Sequence, residues 1–125
     1  MSVQFGPIIP VLRMFAVDKA REFYLDFLGF EMDWEHRFGA DFPLYMQISR
    51  AGFLLHLSEH HGDACPGAKV FVETTGIDAL HAELTAKTYR YGKPGIEDAP
   101  WGARTLTVTD PFANRIIFNE TKLAG

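Results

Sequence analysis

Histidines and carboxylates are the side chains of this sequence that could hold a divalent metal. His56 lies in an apolar run, His60 and His61 follow on a polar segment, and Glu120 lies near the end of the chain. Zn²⁺, Ni²⁺ and Fe²⁺ take imidazole nitrogens and carboxylate oxygens as ligands. Neighbouring histidines on a polar connector are more often solvated, so a weak surface site for adventitious metal is the simpler interpretation. A site that combines His56 with His60 or Glu120 stays open as an alternative.

Other patterns for catalysis are not found in the sequence. Cys65 is the single cysteine, so it has no second Cys for a disulfide or a zinc site. Glu97 and Asp98 are adjacent, and neighbours on a strand point to opposite faces, so they cannot act on one substrate. The sequence has no serine elbow and no phosphate-binding loop. Nucleophilic catalysis and acid–base hydrolysis are therefore not predicted.

Aromatic residues make a stronger case for binding. The chain has eleven Phe, four Tyr and two Trp, more rings than a core of this size requires. Trp101 lies in the Pro/Gly frame APWG, while Trp34 and Phe38 are four residues apart and would share a face of a strand. Opposed across a cleft, these rings could sandwich a flat ligand. Packing of Trp34 and Phe38 between a sheet and a helix is the alternative.

Polar residues near these rings suggest what kind of ligand is bound. Asp33 and Glu35 flank Trp34, and at the rim of a cleft they would attract a cation, although such charges are commonly a solvated edge. Ser58 could supply a polar contact. His56 could contact the ligand or be a hydrogen-bonded strand histidine, and the two roles are compatible. The predicted binding residues are therefore Trp101, Trp34, Phe38, His56, Asp33, Ser58 and Glu35.

Length and charge set the broad class. With 125 residues, 47% hydrophobic and 22% charged, the chain fits one globular domain. A net charge of −4 without a Lys/Arg cluster argues against nucleic acid as a partner. No apolar run approaches the roughly 20 residues of a membrane span, and the first residues lack signal-peptide features. A cytoplasmic location without membrane association is expected.

The apolar pattern of the first half predicts the order β-α-β-β-β. A strand at residues 8 to 14 precedes a helix from Val17 to Leu28, which ends at Gly29. Short or alternating apolar runs predict strands at residues 30 to 38, 44 to 49 and 53 to 58, the last two joined by a turn at 50 to 52. The polar residues 59 to 67 form a connector.

The second half repeats this order. A strand at residues 70 to 74 leads into residues 75 to 78, which resemble a capping box that opens a second helix. Closing strands are predicted at residues 103 to 109 and 115 to 119, with a further short strand near 89 to 91 or Ile96. Two βαβββ modules, at about residues 1 to 60 and 67 to 122, would pair within the chain or across a dimer, since neither can bury its sheet alone.

Ordered motifs carry a resemblance along essentially the whole chain. VDKAREFY (17 to 24) before LGF (28 to 30), and PWG (100 to 102) before DP (110 to 111), resemble the bleomycin resistance protein branch of the glyoxalase/bleomycin resistance protein/dioxygenase (vicinal oxygen chelate) superfamily. The resemblance implies an α+β fold in which two βαβββ modules form a curved mixed β-sheet cup. In the enzymes of this superfamily the cup holds a metal; in the resistance proteins it lies at a homodimer interface and sequesters a drug.

The resemblance also indicates what each position would do. His56 matches a metal-ligand position, but the corresponding strands offer Ile9, Pro10, Ala68, Ile116 and Ile117, which cannot donate a lone pair to a metal. Trp101 matches a drug-facing tryptophan, and Trp34 matches an aromatic on the second strand. Where the family's closing turn has Gly, this chain has Ala113, so Asn114 is expected to take any left-handed conformation.

Together these observations predict a homodimeric binding protein. It would sequester a small amphipathic, cationic antibiotic of the bleomycin type in grooves between subunits, with no catalytic residue, metal or cofactor. A metal-dependent glyoxalase, lyase or dioxygenase that uses His56 with His60 or Glu120 is the alternative. Whether the ligand is a drug or a metabolite, and whether the modules pair within the chain or by exchange between subunits, the sequence leaves open.

Overall fold

The computed structural model describes residues 2–87 and 92–122. Within them the chain forms two four-stranded mixed sheets and few helices, which confirms the predicted α+β class. Sheet 1 contains β1 (Val11–Arg13), β2 (Glu31–His36), β3 (Tyr45–Arg50) and β4 (Phe53–Ser58). Sheet 2 contains β5 (Lys69–Glu73), β6 (Ile96–Ala99), β7 (Ala103–Thr109) and β8 (Arg115–Thr121).

The two sheets have the same topology. Sheet 1 has the order β1-β4-β3-β2 and sheet 2 the order β5-β8-β7-β6. In each, the first strand runs parallel to the last, and the remaining neighbours are antiparallel. The repeated order that the sequence predicts is therefore present in the strand pairing.

The turn between β3 and β4 fixes the register of sheet 1. Arg50 pairs with Phe53, so only Ala51 and Gly52 form the loop. Both take positive φ, 50° and 89°, which matches the right-handed twist of the flanking strands. This register places Gln47 opposite His56.

One helical segment precedes β2 and a second precedes β6. Helix α1 (Val17–Arg21) continues with π-helical hydrogen bonding through Glu22–Phe27, and Gly29 follows with a φ of 75° that suits a helix end. Helix α2 (Ile77–Ala86) packs against β7 and β8.

The core joins the two halves of the chain. Its buried side chains come from one side of each sheet and from both helices, and include Leu12, Phe23, Met46, Leu57, Ile77, Leu106 and Phe118. Tyr24 donates a hydrogen bond of 2.6 Å to the buried Asp110 between β7 and β8. In the other direction, Arg50 makes two hydrogen bonds to Glu83 on α2. Each half thus contacts the helix of the other.

Several local predictions need correction. The first strand is shorter than residues 8 to 14, because Pro10 has no N–H for the ladder and pairing begins at Val11. The capping box at residues 75 to 78 does not form: Gly76 is the N-cap with a φ of 91°, and its N–H donates to Glu120 on β8 at 2.6 Å. A carboxylate distant in sequence has replaced the local cap.

Further differences concern the closing turn and the short strand. Ala113 itself takes the left-handed conformation, with a φ of 71°, instead of Asn114. Asn114 is buried and holds the turn by donating from Nδ2 to Asp110 and to the carbonyl of Arg13. The predicted short strand at Ile96 is confirmed as β6; residues 89 to 91 lie outside the described residues.

Candidate ligand-binding site

One side of sheet 1 faces solvent. Along β3 and β4, residues Met46, Ile48, Leu55 and Leu57 are fully buried, whereas the alternate residues other than Ser58 are partly exposed. Because successive strand residues point to opposite sides, the alternate residues share the other surface. We call this surface the open face of sheet 1; its members in register are Trp34, Tyr45, Gln47 and His56.

Three rings form a cluster on the open face of sheet 1. Trp34 stacks on Tyr45 with the ring centroids 6.0 Å apart and an interplanar angle of 11°. The imidazole of His56 meets both rings edge-on, at 5.3 Å from Trp34 and 5.1 Å from Tyr45. Trp34 is 43% exposed. The indole therefore does not pack between sheet and helix, and its free side can receive another flat ring.

A chain of hydrogen bonds links two of these rings to Gln47 and Asp33. The Tyr45 hydroxyl lies 2.6 Å from Nδ1 of His56, and Nε2 of His56 lies 2.9 Å from Oε1 of Gln47. Gln47 then donates from Nε2 to Asp33 at 3.0 Å, and Ser49 donates to the same carboxylate at 2.9 Å. We call the series Tyr45, His56, Gln47, Asp33 the hydrogen-bond chain.

Donor and acceptor chemistry gives the hydrogen-bond chain a direction. A carboxylate only accepts, so the amide nitrogen of Gln47 faces Asp33 and its oxygen faces His56. Nε2 of a neutral His56 must then carry the proton, and Nδ1 must accept from the Tyr45 hydroxyl. Burial lowers the pKa of His56, which favours the neutral form. Burial, with the charge of Asp63, raises the pKa of Tyr45 and keeps its hydroxyl protonated.

A β-bulge brings Asp33 to this surface. Met32 pairs with Ile48 and Trp34 with Gln47, so Asp33 is an extra residue between two paired neighbours. Without the bulge, strict alternation would place Asp33 and Trp34 on opposite sides. With it, Asp33 reaches Gln47 and Ser49 while Trp34 stays in the aromatic cluster.

Trp101 is held on the second sheet. It lies in the turn between β6 and β7, is 60% exposed, and donates from its indole N–H to Asn119 on β8 at 3.0 Å. Asn119 and Ile117 are two residues apart on β8, so they point to the same side of sheet 2. Ile117 pairs with the half-exposed Phe71. We call this side the open face of sheet 2. In the part of the chain that the structure describes, no ring contact joins Trp101 to Trp34.

Three other predicted residues are not members of the aromatic cluster. Phe38 follows the end of β2, so it does not share a strand face with Trp34; it is 74% exposed and touches His36 edge-on at 4.6 Å. Glu35 points the opposite way from Trp34 and pairs with Arg21 on α1. Ser58 is fully buried, and its hydroxyl donates to Asp63 at 2.6 Å. Glu35 therefore lies on the other side of β2 from Trp34, whereas Ser58 shares the strand side of His56 and pairs with Tyr45, but its hydroxyl is buried and used by Asp63.

The histidines and carboxylate considered for a metal are not gathered together. Both ring nitrogens of His56 have partners, and the Nδ1 lone pair is used by Tyr45. Glu120 caps α2 in the other half of the chain. Within residues 2–87 and 92–122, no group of three or more His, Cys, Asp or Glu side chains is arranged to hold a metal ion.

A groove of about 580 Å³ lies elsewhere, at the junction of the two halves. Phe53 is in edge-on contact with Phe30 at 5.5 Å and with Phe118 at 6.4 Å, and the three rings line the groove. Among the described residues, the predicted binding residues do not line it. This groove offers a cavity, whereas the polar and stacking chemistry lies on the open faces.

Sequence reasoning missed Tyr45, Gln47 and Asn119. The alternation of Tyr45, Gln47 and Ser49 with Met46 and Ile48 is visible in the sequence and could have identified the first two. Combined with the two-residue turn, it would have placed Gln47 opposite His56. Asn119 reaches Trp101 only through the pairing of β7 with β8, which no local pattern reveals.

None of the helices within the described ranges has the length and apolar character that a membrane span requires.

Comparisons with known proteins identify relatives along the entire length. A family model described as glyoxalase superfamily protein matches residues 1–125. No curated protein sequence matches the chain.

Solved structures with the same fold include proteins that bind antibiotics. The bleomycin-binding protein from bleomycin-producing Streptomyces verticillus, in complex with copper(II)-bleomycin, is 30% identical; the match has a TM-score of 0.67 and covers 98% of this chain and 100% of that one. TnmS3, an antibiotic binding protein from Streptomyces sp. CB03234, is 21% identical, with a TM-score of 0.73 and coverage of 97% and 100%. A bleomycin resistance determinant encoded on transposon Tn5 is 15% identical, with a TM-score of 0.72 and coverage of 95% and 100%.

Proposed function

Because the chain belongs to the glyoxalase superfamily, we propose that it is a bleomycin-resistance-like binding protein that sequesters a small, flat, cationic and amphipathic antibiotic without catalysis. Structural neighbours include bleomycin-binding and bleomycin resistance proteins. The predicted cytoplasmic location is part of this proposal.

The observation that carries the proposal is that two tryptophans are exposed and are held in place by neighbouring side chains. Trp34 is stacked on Tyr45 and Trp101 is hydrogen-bonded to Asn119, so neither indole is a loose surface ring. Indoles offer wide polarisable faces with few rotatable bonds, so stacking a planar ligand on them costs little conformational entropy. Exposed rings that are already oriented favour binding of a flat molecule over a purely structural role.

The grooves are proposed to lie between two subunits. Trp34 and Trp101 lie on different sheets and have no ring contact within the described chain. A homodimer that faces the open face of sheet 1 of one subunit with the open face of sheet 2 of its partner would bring the two tryptophans to one ligand, and twofold symmetry would repeat the groove. Each module would then cover the surface that a single chain leaves open.

Charge and hydrogen bonding support a cationic ligand bound without a metal-dependent step. Asp33 lies beside Trp34 and is oriented by Gln47 and Ser49, and the protein carries a net charge of −4. A carboxylate beside an apolar ring attracts an amphipathic cation. His56, which matches a metal-ligand position of the superfamily's enzymes, has its nitrogens engaged by Tyr45 and Gln47.

Calorimetric titration with bleomycin tests the proposal. We expect tight 1:1 binding per subunit for the parent, and a loss of about tenfold in affinity for Trp34→Ala or Trp101→Ala, since a lost stacking partner costs about 1.4 kcal/mol. Phe42→Ala, which removes another exposed ring, is the matched control and should bind as the parent does.

Two outcomes would overturn the proposal. One is the absence of binding at micromolar bleomycin. The other is stoichiometric, tight binding of Ni²⁺ or Zn²⁺ that is lost in His56→Ala, which would favour the metal-dependent enzyme. Sedimentation analysis tests the dimer separately: a monomer at working concentration contradicts the proposed groove and leaves the fold unaffected.

A further inference from the structure

The Tyr45 hydroxyl lies at one end of the hydrogen-bond chain, in the aromatic cluster that contains Trp34. In the direction fixed by Asp33 and Gln47, its hydrogen is used by Nδ1 of neutral His56. Only oxygen lone pairs then remain for a further partner. A ligand that stacks on Trp34 therefore meets an acceptor at Tyr45, although an isolated tyrosine could act either way.

We propose that Tyr45 is a specificity-determining residue of this face, which selects ligands that present an N–H or O–H donor to its hydroxyl oxygen, and that His56 is the positioning residue that keeps this oxygen an acceptor. The inference rests on the proposed function, since it concerns the same face, and it deepens it by naming the ligand group that is recognised. A ligand with a carbonyl or ether oxygen at that place meets no donor, and it leaves the lone pairs of the Tyr45 oxygen without a partner. This is costly once water is excluded.

Protonation of His56 should remove this preference for ligands with a donor. With both ring nitrogens protonated, Nδ1 donates to the Tyr45 oxygen, and the hydroxyl hydrogen turns to the ligand. The titratable and charged groups around the imidazole are Arg13 on β1, Asp33 and His36 on β2, Tyr45 on β3, and Asp63 on the connector after β4. Arg13 lies over the ring of Phe15 at 4.5 Å, Asp33 is held by Gln47 and Ser49, and Asp63 accepts from Ser58. His56 is the titratable group of this set that is hydrogen-bonded to the Tyr45 hydroxyl, so its protonation acts on that hydroxyl directly.

A pair of matched neutral probes tests the selection. Carbazole and dibenzofuran are flat tricyclic molecules of the same shape, and only carbazole has an N–H donor. We expect the parent at neutral pH to bind carbazole about fivefold more tightly, the effect of one hydrogen bond. Tyr45→Phe should bind both probes equally. Phe42→Ala is the control, because it removes an exposed ring outside the hydrogen-bond chain and leaves the Tyr45 hydroxyl in place; it should keep the preference.

The position of the proton is measured without any ligand. Long-range ¹H–¹⁵N correlation spectra of histidine-labelled protein should show His56 as the neutral form protonated at Nε2, and acidification should remove the preference for carbazole as this signal titrates. The form protonated at Nδ1, an equal preference in the parent, or an unchanged preference in Tyr45→Phe would each overturn the inference. Failure of the parent to bind either probe would also overturn it, and bleomycin titration would then show whether the proposed function fails with it.

Discussion

His56 is held between Tyr45 and Gln47, and both contacts are compatible with a neutral ring. Burial lowers its pKa from the ordinary value of 6.5. A lowered pKa means that the unfolded chain binds a proton more readily than the folded protein does. The contribution to stability is therefore fully present above pH 6.5 and is lost as the pH falls from there towards the lower folded pKa.

We expect the free energy of unfolding of the parent to fall on acidification below about pH 6.5 more steeply than that of His56→Gln. Glutamine stays neutral, so the pH-dependent contribution of residue 56 to the free energy of unfolding is absent from this variant. Urea unfolding at a series of pH values measures the difference. His61→Gln, at an exposed histidine of the connector, is the control and should follow the parent. Identical pH slopes for the parent and His56→Gln would contradict this account of the imidazole.

For individual residues, the sequence was informative about which rings are available and less informative about where the side chains point. Trp34, Trp101 and His56 were predicted from residue chemistry and motif position, and the structure places all three on open faces. Glu35 was misplaced because the sequence does not show that Arg21 on α1 would pair with it. Asp33 shares a surface with Trp34 only through a bulge, which alternation cannot predict.

Helix α2 begins without a local cap. Gly76 takes a φ of 91°, and its N–H is satisfied by Glu120 on β8. Residues 75 to 78 have the side chains of a capping box, but the strand supplies a carboxylate instead. Strand and helix spans were predictable because hydrophobic periodicity is local; this helix start was not, since its partner lies 44 residues away.

Replacing Gly76 by alanine should lower the free energy of unfolding by about 1 to 2 kcal/mol, because a Cβ is strained in the left-handed conformation. Space is not the cause, since a Cβ at Gly76 would meet no atom within 4 Å. Gly62→Ala is the matched control: it has equal space without a positive φ, and it should be neutral or slightly stabilising. Chemical denaturation compares the two, and equal effects would contradict the strain argument.

The two halves of the molecule are joined by reciprocal polar contacts. Tyr24 on the first helical segment bonds Asp110 in the closing turn, and Arg50 at the end of β3 bonds Glu83 on α2. Arg50 also donates to the carbonyl of Leu28 at 2.6 Å. The repeated strand order was predictable from the sequence. The two contacts between the halves were not, because no local pattern pairs residues so far apart in the sequence.

Arg50→Met should destabilise the protein by about 1 kcal/mol, a value limited by solvent screening of a pair that is about a third exposed. The hydrogen bond from Arg50 is the main cause that lowers the pKa of Glu83. Because the carboxyl pKa is lowered on folding, Glu83 stabilises the folded protein above its ordinary pKa of 4.5, and this stability is lost as the pH falls below that value. The free energy of unfolding of Arg50→Met should therefore fall less on acidification than that of the parent.

Arg104→Met is the comparison for Arg50→Met. Arg104 also makes two hydrogen bonds to a carboxylate, that of Asp78, but the pair lies on the surface of one half of the chain. Arg104→Met should therefore lower the free energy of unfolding by less than Arg50→Met does. An equal or larger loss in Arg104→Met, measured by the same denaturation, would contradict the view that Arg50 matters because it joins the halves.

The single bulged residue of β2 has a consequence for how such proteins diversify. Since Met32 and Trp34 already pair with successive residues of β3, loss of one codon at Asp33 would leave a regular ladder and the same indole on display. A carboxylate could thus be gained or discarded by a one-residue insertion or deletion, with the scaffold intact. A change of ligand preference would then need few mutations and no substitution in the core.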